Sequence, residues 1–184
     1  KIGTGSMLRG AQIQAMLPDI NIVPLRGNID TRLKKIETDN LHGVILAAAG
    51  MKRLGYQQKI TQYLPMELML PAVGQGALGL QIRTADNDLA RLLALLNHQP
   101  TAAAITAERS FLRALGGGCR LPIAAYGEVE GLNLTLEGLV AAPQGTSVIR
   151  DRVRGTIGEA EELGKRLTDL IMEKGGKKLL QLVC

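Results

Sequence analysis

The sequence predicts an α/β chain: a parallel-sheet domain followed by a small α+β domain with an antiparallel sheet. Three observations lead there. Strand-length apolar runs alternate with helix-period segments over residues 1–54. A stretch rich in glycine and proline, LPAVGQGALG at 70–79, breaks that rhythm. Beyond it, residues 123–154 hold three runs split by Gly131 and by Pro143–Gly145, one alternating apolar with polar side chains as half-exposed antiparallel strands do.

Each element has a local reason. Residues 1–4 read as a strand end entering a glycine turn, and Ser6 is placed to cap a helix running to Leu17, stopped by Pro18 and weakened by Gly10. Residues 20–24 form a short strand. Asn28 caps a second helix with Ile29, Leu33 and Ile36 on one face. The unbroken run GVILAAA at 43–49 predicts a strand buried on both faces, and a turn or short helix follows at 50–54. A crossover or hinge is expected at 70–79, then a strand at 78–83. A leucine-striped helix follows at 86–97, entered at Thr84 or Asp86. A helix over 101–115 ends at Gly116-Gly117-Gly118. Strands are predicted at 123–130, 132–140 and 147–154, an amphipathic helix at 159–173, a break at Gly175-Gly176, and a short last helix to 183.

Composition removes several function classes. The chain has 184 residues, 46% hydrophobic and 21% charged, enough for one large or two small cores rather than a disordered tail. Aromatic residues are 2%, too few for the stacking platforms that bind single-stranded nucleic acid. No apolar run approaches the roughly 20 residues of a membrane helix, and no signal peptide is expected. Two cysteines, Cys119 and Cys184, build no disulfide framework and suit a reduced cytoplasmic protein. His42 and His98 lie too far apart in sequence, and from cysteine, for a metal site. The chain opens on Lys1 rather than Met, so a partial chain is expected.

Net charge is +5, and the excess sits early: residues 1–70 carry nine Lys/Arg against five Asp/Glu. Arg9, Arg26, Arg32 and Arg53 stand near glycines. Guanidinium forks match carboxylate or phosphate, and glycine lets an anion approach the backbone. The plain alternative is a scattered, solvated basic surface. Cys119 follows three glycines and precedes Arg120, which exposes the sulfur and favours thiolate. With no histidine base placed beside it, a permanent attachment point suits it better than a turnover nucleophile. The alternative is a helix-capping glycine run followed by a packed cysteine.

Four strings carry a family resemblance: LRGNIDTRL at 25–33, ILAAAGMKRLG at 45–55, LPAVGQGA at 70–77, and AERSFL at 107–112 leading to GGCRLPI at 117–123. Together, and in this order, they resemble porphobilinogen deaminase, the hydroxymethylbilane synthase family. The resemblance implies two domains like those of periplasmic binding proteins plus a small α+β domain. It implies a transferase of tetrapyrrole (heme) biosynthesis that joins four porphobilinogen units into hydroxymethylbilane with release of ammonia. The primer is a dipyrromethane cofactor held through a thioether, by motif on Cys119. By motif, Arg9 and Arg26 hold cofactor carboxylates, with Ser6 and Thr4 beside them, and Arg26, Arg32 and Arg53 hold substrate and the growing polypyrrole. The domains are then 1–70 (second α/β domain, partial), 71–96 (return segment of the first domain) and 97–184 (cofactor-attachment domain).

Two departures follow. The family pattern Ser-Ser-Leu-Arg-Arg is here Gly5-Ser6-Met7-Leu8-Arg9, so Leu8 replaces the first arginine. The family's catalytic aspartate belongs to a segment upstream of this chain, and Asp86 and Asp88 do not match it. The expectation is of a C-terminal part that lacks most of the first domain, is inactive alone, and partners the missing N-terminal segment. Two rivals remain: a non-catalytic carboxylate- or anion-binding module, and a nucleic-acid binder resting on net charge alone, with no reading motif present.

Overall fold

The structure, a computed structural model, describes residues 1–116 and 122–181, with Leu180 described by its backbone alone. Cys119 and Cys184 lie outside the described residues.

The first sheet is parallel, with strand order β2-β1-β3: β1 Ile2–Thr4, β2 Ile22–Pro24 and β3 Gly43–Val44. Between β1 and β2 runs α1, Met7–Met16. The Ser6 hydroxyl accepts the Arg9 N–H at its start, and it closes at Leu17 ahead of Pro18. Between β2 and β3 runs α2, Ile29–Thr38, with Asn28 Oδ1 accepting the Thr31 N–H at 2.9 Å. Its apolar face, Ile29, Leu33 and Ile36, is half-buried.

Three predicted elements differ. The run at 43–49 is not a long buried strand. Pairing ends with the Ile45 N–H on the Gly3 carbonyl, because β1 turns away just beyond Thr4. The alanines, good helix formers, open α3, Ala48–Arg53. Residues 78–83 form no strand: Leu78 is 88% exposed and Leu80 62%, and no described strand lies beside them to pair. The leucine helix is shorter, α4 Asn87–Ala94, capped by Asp86, and its stripe faces solvent, with Leu92, Leu95 and Leu96 exposed.

The C-terminal part follows prediction more closely. Helix α5, Gln99–Ala114, starts two residues early because His98 caps it and Pro100 suits a first turn. Gly116, at φ 97°, follows its C-cap Leu115. Strands β4 Ile123–Glu130, β5 Asn133–Ala141 and β6 Val148–Thr156 form an antiparallel sheet in that order. Leu132 belongs to the turn and is exposed. Helix α6, Ala160–Ile171, ends short of the predicted 173. A wide turn holding Gly175 follows, and then α7, Lys177–Gln181. Phe111, Leu134, Leu136, Val140, Leu163, Leu167 and Ile171 make the main core between sheet and helices.

Strand β5 is half-exposed only at its start. Leu139, Val140 and Ala141 are all buried, because α1 lies on the outer face there. Ala11, Leu70, Ala124, Leu139 and Ala141 form a second apolar cluster, with Leu8 packed against it. This seam joins the two sheets. No described helix is long and apolar enough to cross a membrane.

Helices α5 and α6 touch at Gly164. A Cβ there would stand 2.6 Å from the Ala107 carbonyl oxygen and from the Phe111 nitrogen, both backbone atoms that cannot step aside. Gly164→Ala is expected to force the helices apart and cost about 3 kcal/mol, read as a lowered urea midpoint with an unchanged slope.

Candidate functional site

The turns leaving β1 and β2 open at the carboxyl ends of parallel strands, where α/β sheets place their ligands. In the first turn, Thr4 Oγ1 accepts the Ser6 N–H at 3.2 Å and Ser6 Oγ accepts the Arg9 N–H at 3.3 Å. Both hydroxyl oxygens are engaged as acceptors, so each can meet an anion only as an O–H donor.

Arg9 sits in the first turn of α1 and Arg32 in the first turn of α2, both half-buried. Arg32 Nε donates to the Gly27 carbonyl at 2.8 Å, which aims the guanidinium. A Cβ on Gly5 would lie 2.3 Å from the Leu25 carbonyl oxygen and 3.7 Å from Arg32 Nη2. The bare glycine backbone thus lies beside the Arg32 head. Burial, and then repulsion from Arg32, hold Arg9 below the ordinary arginine value. It stays charged even so. Among the described residues neither arginine has a carboxylate within ion-pair distance. Two cations share the mouth of two helix N-termini, whose dipoles add positive potential. Such a place recruits an anion.

Arg26 is exposed in the β2–α2 turn, next to Gly27. Arg53 ends α3, exposed, and no described hydrogen bond or ion pair ties it to the other three. Leu8, which stands for the first of the paired arginines, turns into the apolar seam and offers the site nothing. Asp30, two residues before Arg32, accepts the Tyr56 hydroxyl proton, and that bond raises the tyrosine's pKa. Cys119, expected from its motif to carry the cofactor, lies outside the described residues. What precedes it is α5, and beyond it Pro122 is buried, its carbonyl accepting the Ala141 N–H. Two shallow depressions, between α5 and α6 and over the outer face of the antiparallel sheet, contain none of the predicted site residues.

Three long-range clamps went unread in the sequence. Gln12 pairs both backbone groups of Leu70. Glu108, inside the AERSFL string, accepts the N–H groups of Gly74 at 2.7 Å and Gly127 at 2.9 Å, and burial raises its pKa. Arg150 donates to Glu137 and to the carbonyls of Met66 and Glu67. The available signal was a polar residue on an otherwise apolar helix face: Gln12 between Ala11 and Ile13, and Glu108 among Ala104, Ala107 and Phe111.

Residues 1–91 match the family model described as porphobilinogen deaminase, dipyromethane cofactor binding domain, and residues 102–173 match that of the porphobilinogen deaminase C-terminal domain. The chain belongs to the porphobilinogen deaminase family. It is 48% identical to the porphobilinogen deaminase of Alkaliphilus metalliredigens (strain QYMF) over 99% of this chain and 58% of that protein. It is 47% identical to that of Syntrophus aciditrophicus (strain SB) over 98% of this chain and 59% of the relative. For that of Moorella thermoacetica (strain ATCC 39073 / JCM 9320) the figures are 46%, 100% and 58%. The chain therefore spans somewhat under three-fifths of the length of these porphobilinogen deaminases. The cofactor-domain match covers the arginine-bearing sheet, and Cys119 falls within the C-terminal-domain match.

Glu137 gives a pH prediction. Burial pushes its carboxyl up, but the bonds from Arg150 and Arg152 outweigh that and hold it below the ordinary glutamate value. A depressed folded pKa means stability that is present above the unfolded value and lost as pH falls through the folded one. Glu137→Gln is expected to cost about 1–3 kcal/mol at neutral pH and to flatten the acid limb of stability. Urea midpoints measured from neutral to acid pH check both.

Proposed function

We propose that this chain is the arginine-lined, cysteine-bearing part of a hydroxymethylbilane synthase: a transferase that builds a tetrapyrrole from porphobilinogen with loss of ammonia. The observation that carries the reading is Arg9 and Arg32, each half-buried at a helix N-terminus and near enough to repel, with no described carboxylate within ion-pair distance of either. Each pyrrole unit brings an acetate and a propionate, so negative charge accumulates as the product grows. Fixed cations that never deprotonate suit that load, and planar forks grip carboxylates in pairs.

A dipyrromethane group fits these residues, because its carboxylates would supply the counter-charge that the arginines lack. When bound, it supplies the pyrrole from which the chain is extended. Cys119 would hold it through the thioether sulfur. Arg9 and Arg26 would take its carboxylates, and the Ser6 and Thr4 hydroxyls would add O–H donors. Arg26, Arg32 and Arg53 would hold the incoming porphobilinogen and the growing polypyrrole. Arg32 is best placed for this, since the Gly27 carbonyl engages only Nε and leaves both terminal nitrogens to donate.

In domain terms, 1–70 is the second α/β domain, of periplasmic-binding-protein type. Residues 71–96 return to the first domain, and 97–184 form the attachment domain. The bare leucines of 78–80 and α4 support the middle assignment, because they are apolar faces that nothing covers among the described residues. We place the protein in the cytoplasm, where Cys119 stays reduced. In this reading the chain by itself binds rather than converts its substrate. That also states the second reading, an anion-binding module.

Calorimetric titration with porphobilinogen tests the proposal. Arg9→Met and Arg32→Met are each expected to weaken binding about ten-fold, one charge-assisted bond's worth, while the chain alone forms no hydroxymethylbilane. Unchanged affinity in both variants, or bilane formation by the chain alone, would overturn it.

A further inference from the structure

Residues 66–74 form a strap without regular secondary structure that touches the second sheet's domain at both ends and α1 in the middle. Side chains, not a ladder, hold their backbone. Arg150 of β6 donates Nη1 to the Glu67 carbonyl at 2.6 Å and Nη2 to the Met66 carbonyl at 2.9 Å, with Nε on Glu137 at 2.6 Å. Glu108 of α5 takes the Gly74 N–H. Between them stands Gln12 of α1. Its Nε2 donates to the Leu70 carbonyl at 3.0 Å, and its Oε1 accepts the Leu70 N–H at 2.9 Å. Gln12 is 3% exposed and Leu70 1%. A primary amide meets a peptide N–H and C=O together, as a neighbouring strand would, and does so at any ordinary pH.

Gln12 lies one helical turn beyond Arg9 on the helix that Ser6 caps. Any shift of α1 along the seam moves Ser6 and Arg9 with it, and the seam's own side chains are mostly alanine and leucine, which resist sliding weakly. We propose that Gln12 is a positioning residue for the anion site: by pairing both backbone groups of Leu70 it sets the register of α1 on the strap, and so the place of Ser6 and Arg9. The strap is itself fixed to the C-terminal domain by Arg150 and Glu108, so the arginine site is set relative to the domain that carries Cys119. The inference rests on reading Arg9 and Arg32 as an anion site.

The test uses sulfate, a dianion throughout the range needed, followed through the amide resonances of Gly5, Ser6 and Arg9. Gln12→Glu is the informative variant. Its neutral carboxyl can donate O–H to the Leu70 carbonyl and accept the Leu70 N–H, as glutamine does, whereas its ionised form cannot donate. Burial raises such a pKa, which brings the change into a working range. Gln12→Glu is expected to bind sulfate like the wild type at about pH 5 and about ten-fold more weakly at about pH 8, a step the wild type lacks. Gln12→Met keeps the bulk and loses both bonds. It is expected to bind weakly at both pH values, with faster Leu70 amide exchange, and it decides the matter if the glutamate variant unfolds at high pH. Faster Leu70 exchange with wild-type sulfate affinity in either variant would reduce Gln12 to a structural clamp and overturn the proposal. If sulfate leaves the Gly5, Ser6 and Arg9 amides of the wild type unmoved, the anion site itself falls, a different result from a variant-specific one.

Discussion

The apolar seam of Ala11, Leu70, Ala124, Leu139 and Ala141 is the contact on which the arrangement of this chain rests. Three of its five members are alanines. Small side chains let the α1 backbone lie close on the sheet, but they bury little apolar surface, so the seam contributes modestly by itself. Hydrogen bonds do what bulk does not. Gln12, Arg150 and Glu108 between them engage five backbone groups of the strap at 66–74. In a buried place each such group costs free energy unless it is paired. The strap is thus held by direction-dependent bonds, which specify one register where a greasy contact would tolerate several.

Electrostatics pulls the other way at the N-terminus of α1, one turn from Gln12. Arg9 and Arg32 repel each other, and both stand on helix ends that disfavour cations. The fold tolerates this because the surrounding elements are fixed: Ser6 and Asn28 cap the helices, and Arg32 is held by the Gly27 carbonyl. An arrangement that lowers stability and gains when an anion arrives is the kind of conflict expected at a binding site rather than in a scaffold. Glu137 shows the contrast. It lies between Arg150 and Arg152 with its charge answered twice, and it belongs to the scaffold.

What could be read in advance was mostly local. The caps at Ser6, Asn28 and Asp86 depend on a side chain and a backbone three residues away, and all three formed. The strands of the second sheet follow from alternation and turn residues. The run at 43–49 misled because alanine is as content in a helix as in an apolar strand, and only the length of β1 decides where pairing stops. Residues 78–83 have strand-like composition but no ladder to join. At the site, residue types and motif positions could be read in advance, but not that Arg9 is half-buried within reach of the Arg32 charge, nor that the Gly27 carbonyl holds Arg32. The clamps were out of reach, since Gln12 meets Leu70 across 58 residues and Arg150 meets Glu67 across 83. No periodicity records such distances.

Helix α4 and its approach have one more physical consequence. None of the eight residues of α4 is buried, and the leucines around it already face water. Melting this stretch exposes almost no additional apolar surface, so it adds little to the heat-capacity increment or to the denaturant slope. The cooperative unit seen in a calorimeter is therefore the two clusters and their seam, a smaller body than the chain length suggests, while residues 77–97 open and close on their own account well below the main transition.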